Sequence, residues 1–316
     1  MNIDVHAHFW TDEYLDIIKD LGKDDTDTQR GLGAGGGDEL AERLKLMDKS
    51  DVDMQILSAN PQMPYSSDKE KAVHAARFVN DQYAKISKEH PKRFRFFVAV
   101  PLPDVDAAIE EIRRGLDELG ALGVSFNTTV MDKPLTSPEF QPVFEELDRR
   151  GAVVYIHPAG CSANSGLIKD HKTWMIGAPV EDTVNMLDMI QKGYQLKYPN
   201  IKFIISHLGG AAPMMMQRWD NQIDWEAPDT PEKPSVAAKK MWYDSVGHGH
   251  IPALKAAVDT FGVDRILLGT DFPYESGEIF TRAITYIKEA LGEEDAIKVL
   301  STNAEELFFE GKPEAE

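Results

Sequence analysis

Asn2-Ile-Asp-Val-His-Ala-His8 reads as a β-strand that ends on two histidines. Side chains in a strand repeat every two residues, so His6 and His8 share one face. The apolar neighbours Ile3, Val5 and Phe9 predict that this face turns inward, where a buried imidazole needs a partner. Taken alone, a His-x-His pair suits the surface as readily as a metal. The same arrangement recurs along the chain, however. Val153-Val-Tyr-Ile-His157, Ile201-Lys-Phe-Ile-Ile-Ser-His207 and Arg265-Ile-Leu-Leu-Gly-Thr-Asp271 each run from an apolar strand to a donor at its carboxyl end.

Eight strand candidates follow one another: residues 2–6, Met54–Leu57, Phe94–Val100, Gly123–Phe126, Val153–Ile156, Phe203–Ser206, Met241–Asp244 and Ile266–Gly269. Segments with a 3.6-residue period lie between them. In Glu39–Met47 the apolar positions are Leu40, Leu44 and Met47, and Val105–Leu119, Phe140–Arg149, Val180–Leu196 and Ile251–Phe261 read the same way. Asp38 suits an N-cap and Gly262 follows a helix end. Strand–helix alternation sustained eight times predicts an α/β fold, a (β/α)8 barrel over residues 1–316 as one domain. Such barrels place active sites at the carboxyl ends of their strands, where the donors stand.

Two stretches break the rhythm. Gln29–Gly37 is a glycine-rich loop, read as a flexible connector before a lid, and it lacks the Lys-Ser/Thr ending of a phosphate loop. Residues 224–235, rich in Pro, Asp and Glu, are expected to form a surface excursion, and the acidic C-terminal tail is expected to fray. A formal net charge of −19 argues against nucleic acid or an anionic membrane as partner, since both need a basic face. The one cysteine, Cys161, cannot form an internal disulfide or a cysteine-rich zinc site, which fits a reducing cytoplasm. The chain begins directly on a strand with no secretory signal, and no apolar run reaches the ~18 residues of a membrane span.

His6, His8, His157 and Asp271 together suit a mononuclear divalent-metal site with an open position. Imidazole nitrogen and carboxylate oxygen fit Zn²⁺, the favoured ion, and also Mn²⁺, Fe²⁺ or Co²⁺. His207 is left for proton transfer. It leads Ser206-His-Leu-Gly-Gly-Ala-Ala-Pro213, whose glycines permit close approach of a ligand and whose proline suits a first helical turn. The other role for His207 is a fifth ligand in a binuclear site. That site normally needs a bridging carboxylate, often from a carboxylated lysine on the fourth strand, and Gly123-Val-Ser-Phe126 offers no lysine.

Read as a whole, the sequence resembles the amidohydrolase superfamily, in the branch of the α-amino-β-carboxymuconate-ε-semialdehyde and γ-resorcylate-type decarboxylases. The resemblance runs through Asp4-Val-His-Ala-His8, Arg43 to Gln55, Lys92-Arg-Phe94 and Ala99-Val-Pro-Leu-Pro103. It continues through His157-Pro158, Trp174-Met-Ile-Gly-Ala-Pro179, Ser206-His-Leu-Gly-Gly210, Arg218 and Gly269-Thr-Asp-Phe-Pro273. It implies that His6, His8, His157 and Asp271 are metal ligands, with Asp271 also part of the catalytic group, and that His207 is the acid/base. By the same resemblance Arg218 binds substrate carboxylate from a neighbouring subunit, and Trp174 lines the pocket. Without it, Arg218 reads as a solvated helix residue and Trp174 as core packing.

Two departures stand out. The semialdehyde decarboxylases carry a substrate-binding arginine in a longer segment after the first strand, where this chain has the glycine-rich loop and only Arg30. The γ-resorcylate enzymes often show Glu-x-His in place of His6-x-His8. The expected function is non-oxidative decarboxylation of an aromatic or conjugated carboxylate, by a cytoplasmic homodimer or higher oligomer. Hydrolysis of a lactone, amide or ester would use the same residues, with His207 as base. A non-catalytic metal-binding protein is the least favoured alternative, because closed structural zinc sites favour cysteines.

Overall fold

The computed structural model of the chain describes residues 1–23, 25–32 and 38–310. Gly33–Gly37 of the glycine-rich stretch and the acidic tail 311–316 therefore lie outside the described residues. Eight strands pair in sequence order, every neighbouring pair parallel. They are Ile3–His8, Met54–Ser58, Phe94–Val98, Gly123–Asn127, Val153–His157, Lys202–Ile205, Trp242–Asp244 and Ile266–Leu267. Contacts between the first strand and the segment around the eighth close the ring: Val5 N donates to Leu268 O at 2.9 Å and His8 N to Phe272 O at 2.7 Å. This is the (β/α)8 barrel that the alternation predicts.

Helices between the strands begin where short polar side chains satisfy free amides. The carboxylates of Asp38, Asp68 and Asp104 accept from Ala41, Lys71 and Ala107 at 2.9–3.2 Å. Gly262 ends the helix Ile251–Phe261 at φ +97°, as its position suggests. The long helix Lys69–Glu89 escapes a search for aliphatic stripes, because its buried face is largely Ala72, Ala75, Ala76, Val79 and Tyr83. Within 224–235, Asp224–Glu226 form the end of the helix Ala212–Glu226, and Pro234 begins the short helix Pro234–Ala238. Among the described residues no helix is long and apolar enough to cross a membrane.

A smaller apolar cluster fills the amino-terminal half of the barrel: Ile3, Val5, Ile56, Phe97, Tyr155 and Leu267 meet there, with Phe308 of the helix Asn303–Phe309 beside them. Strict alternation would put Ile3 and Val5 on the opposite face from His6 and His8. The register of the first strand shifts between Asp4 and Ala7, however. This bulge re-aims the strand, so that apolar residues fill the barrel below and both histidines face its interior above.

Arg43, on the helix Glu39–Lys49, braces that strand from outside. It is 1% exposed. Its guanidinium donates to His8 O at 2.6 Å, Gln55 Oε1 at 2.9 Å and Glu39 Oε1 at 2.8 Å, and it lies 4.3 Å over the Phe272 ring. Arg43→Ala leaves a buried carbonyl, amide and carboxylate without their donor. It is expected to cost roughly 3–5 kcal/mol in urea unfolding, the range for breaking a buried pair. Arg43→Lys should recover only part, because an ammonium cannot reproduce the fork. A loss below about 1 kcal/mol would show that the strand needs no such brace.

Candidate metal centre and cavity

The four expected donors converge. One ligand atom each from His6, His8, His157 and Asp271 lies within 4.8 Å of all the others, and all four residues are buried. His6 Nε2 stands 3.1 Å from His8 Nε2 and 3.1 Å from Asp271 Oδ1. His8 Nε2 is 3.2 Å from the same oxygen. Asp271 adopts φ +58°, a strained conformation that points to a functional constraint, and its amide donates to His6 O at 2.9 Å.

The far ring nitrogens of the three histidines are already engaged. His6 Nδ1 meets Asp244 Oδ2 at 2.8 Å, His8 Nδ1 meets Ser58 Oγ at 2.9 Å and His157 Nδ1 meets Pro158 O at 2.9 Å. Such outer partners fix the tautomer and leave each Nε2 lone pair aimed inward. Three neutral imidazoles and a carboxylate at this spacing fit a divalent ion. Burial opposes charge on His6, but Asp244 and Asp271 outweigh it and raise His6 to about 9. Burial and the neighbouring imidazoles leave His8 lowered to about 4.

Asp244 was not among the expected site residues, although it ends the seventh strand just as the other donors end theirs. Its Oδ1 accepts the amides of His207 and Val246, both at 3.0 Å. Gly269 makes room for this pair: a Cβ there would stand 2.9 Å from Asp244 Cβ and 3.0 Å from His6 Cβ.

His207 stands beside the cluster and outside it. Its Nδ1 contacts Asp182 Oδ2 at 2.9 Å, and its Nε2 lies 3.9 Å from Asp271 Oδ2. Asp182 is fully buried on the helix Ala178–Gln191 and also accepts from Ser206 Oγ at 2.9 Å. Burial works against charge on His207, yet Asp182 and Asp271 hold its pKa well above the ordinary histidine value. Burial pushes Asp182 up to about 6 against the pull of that imidazole. No sequence signal marked Asp182, since only the folded chain brings the two together. The glycines after His207 serve a helix as well as the cavity, since a Cβ on Gly210 would lie 2.1 Å from Pro179 O.

A cavity of about 390 Å³ opens on this group, walled by His207, Asp271, Trp174, Tyr274, Pro213 and Met214 among others. Trp174, 47% exposed, stacks on Tyr274 with ring centroids 6.2 Å apart. Tyr274 also packs against His8 and Trp10, so an aromatic wall flanks the donors. Neither Arg218, the other expected substrate-binding residue, nor Arg30 of the glycine-rich stretch reaches this cavity in its own chain. Arg218 is exposed on the helix Ala212–Glu226, along a groove with Met215 and Trp219. Arg30 is tied to Asp12, Asp16 and Asp27.

The model of the amidohydrolase family matches residues 3–309. The 2-amino-3-carboxymuconate-6-semialdehyde decarboxylase of Dictyostelium discoideum is 33% identical over 254 residues, 78% of this chain and 70% of that protein. The gamma-resorcylate decarboxylase of Rhizobium sp. (strain MTP-10005) is 31% identical over 286 residues, 84% of this chain and 86% of that one. A dihydroxybenzoic acid decarboxylase from Polaromonas sp. JS666, solved with manganese and the inhibitor 2-nitroresorcinol, superposes with a TM-score of 0.81. That superposition covers 97% of this chain and 96% of the other at 26% identity. The family match over nearly the whole chain, together with these relatives, shows that the protein belongs to the amidohydrolase family.

Proposed function

We propose that this protein is a metal-dependent, non-oxidative decarboxylase of an aromatic or conjugated carboxylate, of the hydroxybenzoate or muconate-semialdehyde type. The observation that carries this reading is the His207–Asp182 pair on the cavity wall, beside a cluster of three histidines and an aspartate. The reactions named for the Dictyostelium and Rhizobium relatives support the same reaction class.

His6, His8, His157 and Asp271 hold one divalent ion. Zinc suits the donor set, and manganese, which the Polaromonas structure contains, is the nearest competitor. When bound, the ion supplies positive charge to the oxygen on which negative charge grows as the carboxylate leaves. Cleavage of that carbon–carbon bond leaves an electron pair on carbon, which must take up a proton. His207 is placed to deliver it, because Asp182 orients the ring through Nδ1 and favours its protonated form. Trp174 and Tyr274 flank a planar substrate and keep water from the reacting carbon.

Arg218 acts in trans. Exposed and outside its own cavity, it binds a substrate carboxylate in a neighbouring subunit of a homodimer or higher oligomer. Met214 and Trp174, exposed at the cavity wall, supply apolar surface for that contact. The single cysteine supports a cytoplasmic location.

Elemental analysis is expected to find about one tightly bound divalent ion per chain, and which element it is decides between zinc and manganese. His8→Ala and Asp271→Ala should lose the ion, while Asp244→Ala should weaken its binding ~10–100-fold by freeing the His6 ring. Two tight ions, or ligand variants that keep full metal, contradict the assignment.

The reaction is tested with metal-loaded protein on hydroxybenzoates, a muconate semialdehyde and lactones, following CO2 and acid release separately. His207→Ala should keep metal and fold but lose ~10²-fold or more of CO2 release. Acid release without CO2 would make the protein a hydrolase. Loss of the ion with activity retained would make His207 a ligand.

For Arg218, two inactive variants, His207→Ala and Arg218→Ala, are mixed under conditions that exchange subunits. A shared site regains partial activity, because some mixed dimers contain one intact pocket. No recovery despite proven exchange puts Arg218 in its own chain's site or on the bare surface.

A further inference from the structure

The cavity wall carries two more imidazoles, in Ser245-Val-Gly-His-Gly-His250 after the seventh strand. One of them is built into a pair. His248 Nδ1 lies 2.5 Å from Glu275 Oε1, with the imidazole 73% exposed and the carboxylate 5% exposed. By distance the two groups form an ion pair, and that oxygen makes no hydrogen bond of good geometry among the described residues. Glu275 follows four residues after Asp271, on the turn that sets the Asp271 carboxylate, and its amide donates to Asp271 O at 3.1 Å. His248 adopts φ +50°, a conformation that a residue with a Cβ takes rarely and only when its surroundings hold it.

A lone buried carboxylate is unfavourable unless a donor compensates it. Here the compensating group is an imidazole that also faces the substrate cavity. With Nδ1 turned to Glu275, Nε2 is the remaining donor, in a fixed ring orientation. The contact with Glu275 is the largest influence favouring the protonated ring. Among the described residues of its own chain no lysine or arginine lines this cavity, so His248 is a preset donor for a substrate oxygen that neither the metal cluster nor His207 engages.

We propose that His248, braced by Glu275, is a specificity-determining residue that donates from Nε2 to a second ring oxygen of an aromatic carboxylate. The assignment rests on the decarboxylase reading and narrows it to substrates such as dihydroxybenzoates. Glu275 acts through His248 and is a positioning residue. The competing explanation is that His248 only neutralises a buried carboxylate, which would affect stability and leave ligand choice alone.

The test pairs binding with turnover on metal-loaded protein. The non-reacting probes are 2-nitroresorcinol and 2-nitrophenol, which differ by one ring hydroxyl, titrated by calorimetry. The corresponding substrates are 2,6-dihydroxybenzoate and 2-hydroxybenzoate. His248→Ala is expected to weaken 2-nitroresorcinol ~10–100-fold, the range for losing a charge-assisted hydrogen bond, and to change 2-nitrophenol by less than about threefold. KM for 2,6-dihydroxybenzoate should rise by a similar factor, with kcat within about threefold and metal content unchanged. His248→Gln should recover part of the discrimination as a neutral donor, and Glu275→Gln should lose part of it.

Equal weakening of both probes, no change in either, or a shift confined to melting temperature would overturn the proposal. A wild-type protein that binds the two probes equally, or neither, would do the same. Failure of the decarboxylase reading looks different: the wild type would prefer 2-nitroresorcinol, His248→Ala would abolish that preference, and no CO2 would appear from either acid.

Discussion

The carboxylate of Asp4 is the fixed point on which the rest of the site depends. It is fully buried, yet its oxygens collect donors from three strand segments. Oδ1 accepts His6 N at 3.1 Å and Thr270 N at 3.0 Å, and Oδ2 accepts Thr270 Oγ at 2.6 Å and Gln55 Nε2 at 2.8 Å. Burial still pushes its carboxyl up to about 6, against the pull of those donors. The same few contacts join the first strand to the second, close it against the segment after the eighth, and hold the bulge that aims His6 inward. Asp271 follows Thr270 directly, so the bond that closes the barrel also sets the one carboxylate of the metal cluster.

From that point the chemistry is organised by carboxylates standing behind imidazoles. Asp244 holds His6 through Nδ1 and leaves Nε2 facing the other donors. Asp182 holds His207 through Nδ1, but there Nε2 faces the cavity. The two pairs have the same parts and differ in what the free nitrogen faces: the other donors of the cluster in one, the open cavity in the other. His248 with Glu275 repeats the construction at the cavity wall, with the ring largely exposed to the space a substrate would fill. Contacts of this kind limit rotation of each ring, so that a donor or a lone pair is held in a set direction.

Much of this was legible in the chain because a parallel barrel puts its functional residues at predictable places. Several apolar strands lead to a donor at or just past their carboxyl ends, so His157, His207 and Asp271 could be picked out by position, and the eight strands fell within a few residues of their observed bounds. The same rule would have yielded Asp244, which ends the seventh strand and carries no other mark. What stayed hidden depends on contacts across the fold. Asp182 meets His207 across 25 residues of sequence, Glu275 meets His248 across 27, and neither spacing follows a secondary-structure period. The bulge in the first strand breaks the very alternation on which the pairing of His6 and His8 was argued, and only the register against the second strand reveals it. Arg30 was the one arginine available near the first strand, but three aspartates already occupy it. For Arg218 only the resemblance suggests a role at the site, because its exposed setting alone reads as a solvated residue.

The central claim is that His207 gives a proton to the carbon that the carboxylate vacates. It is tested most directly by running the reaction of metal-loaded protein in D2O on whichever carboxylate releases CO2 fastest, and locating deuterium in the product by mass spectrometry and NMR. The account expects one deuteron per turnover, on the vacated carbon, from the wild type, and formation of that product slowed ~10²-fold or more in metal-loaded His207→Ala. A product with no deuterium there, or an acid product formed without CO2, would contradict it.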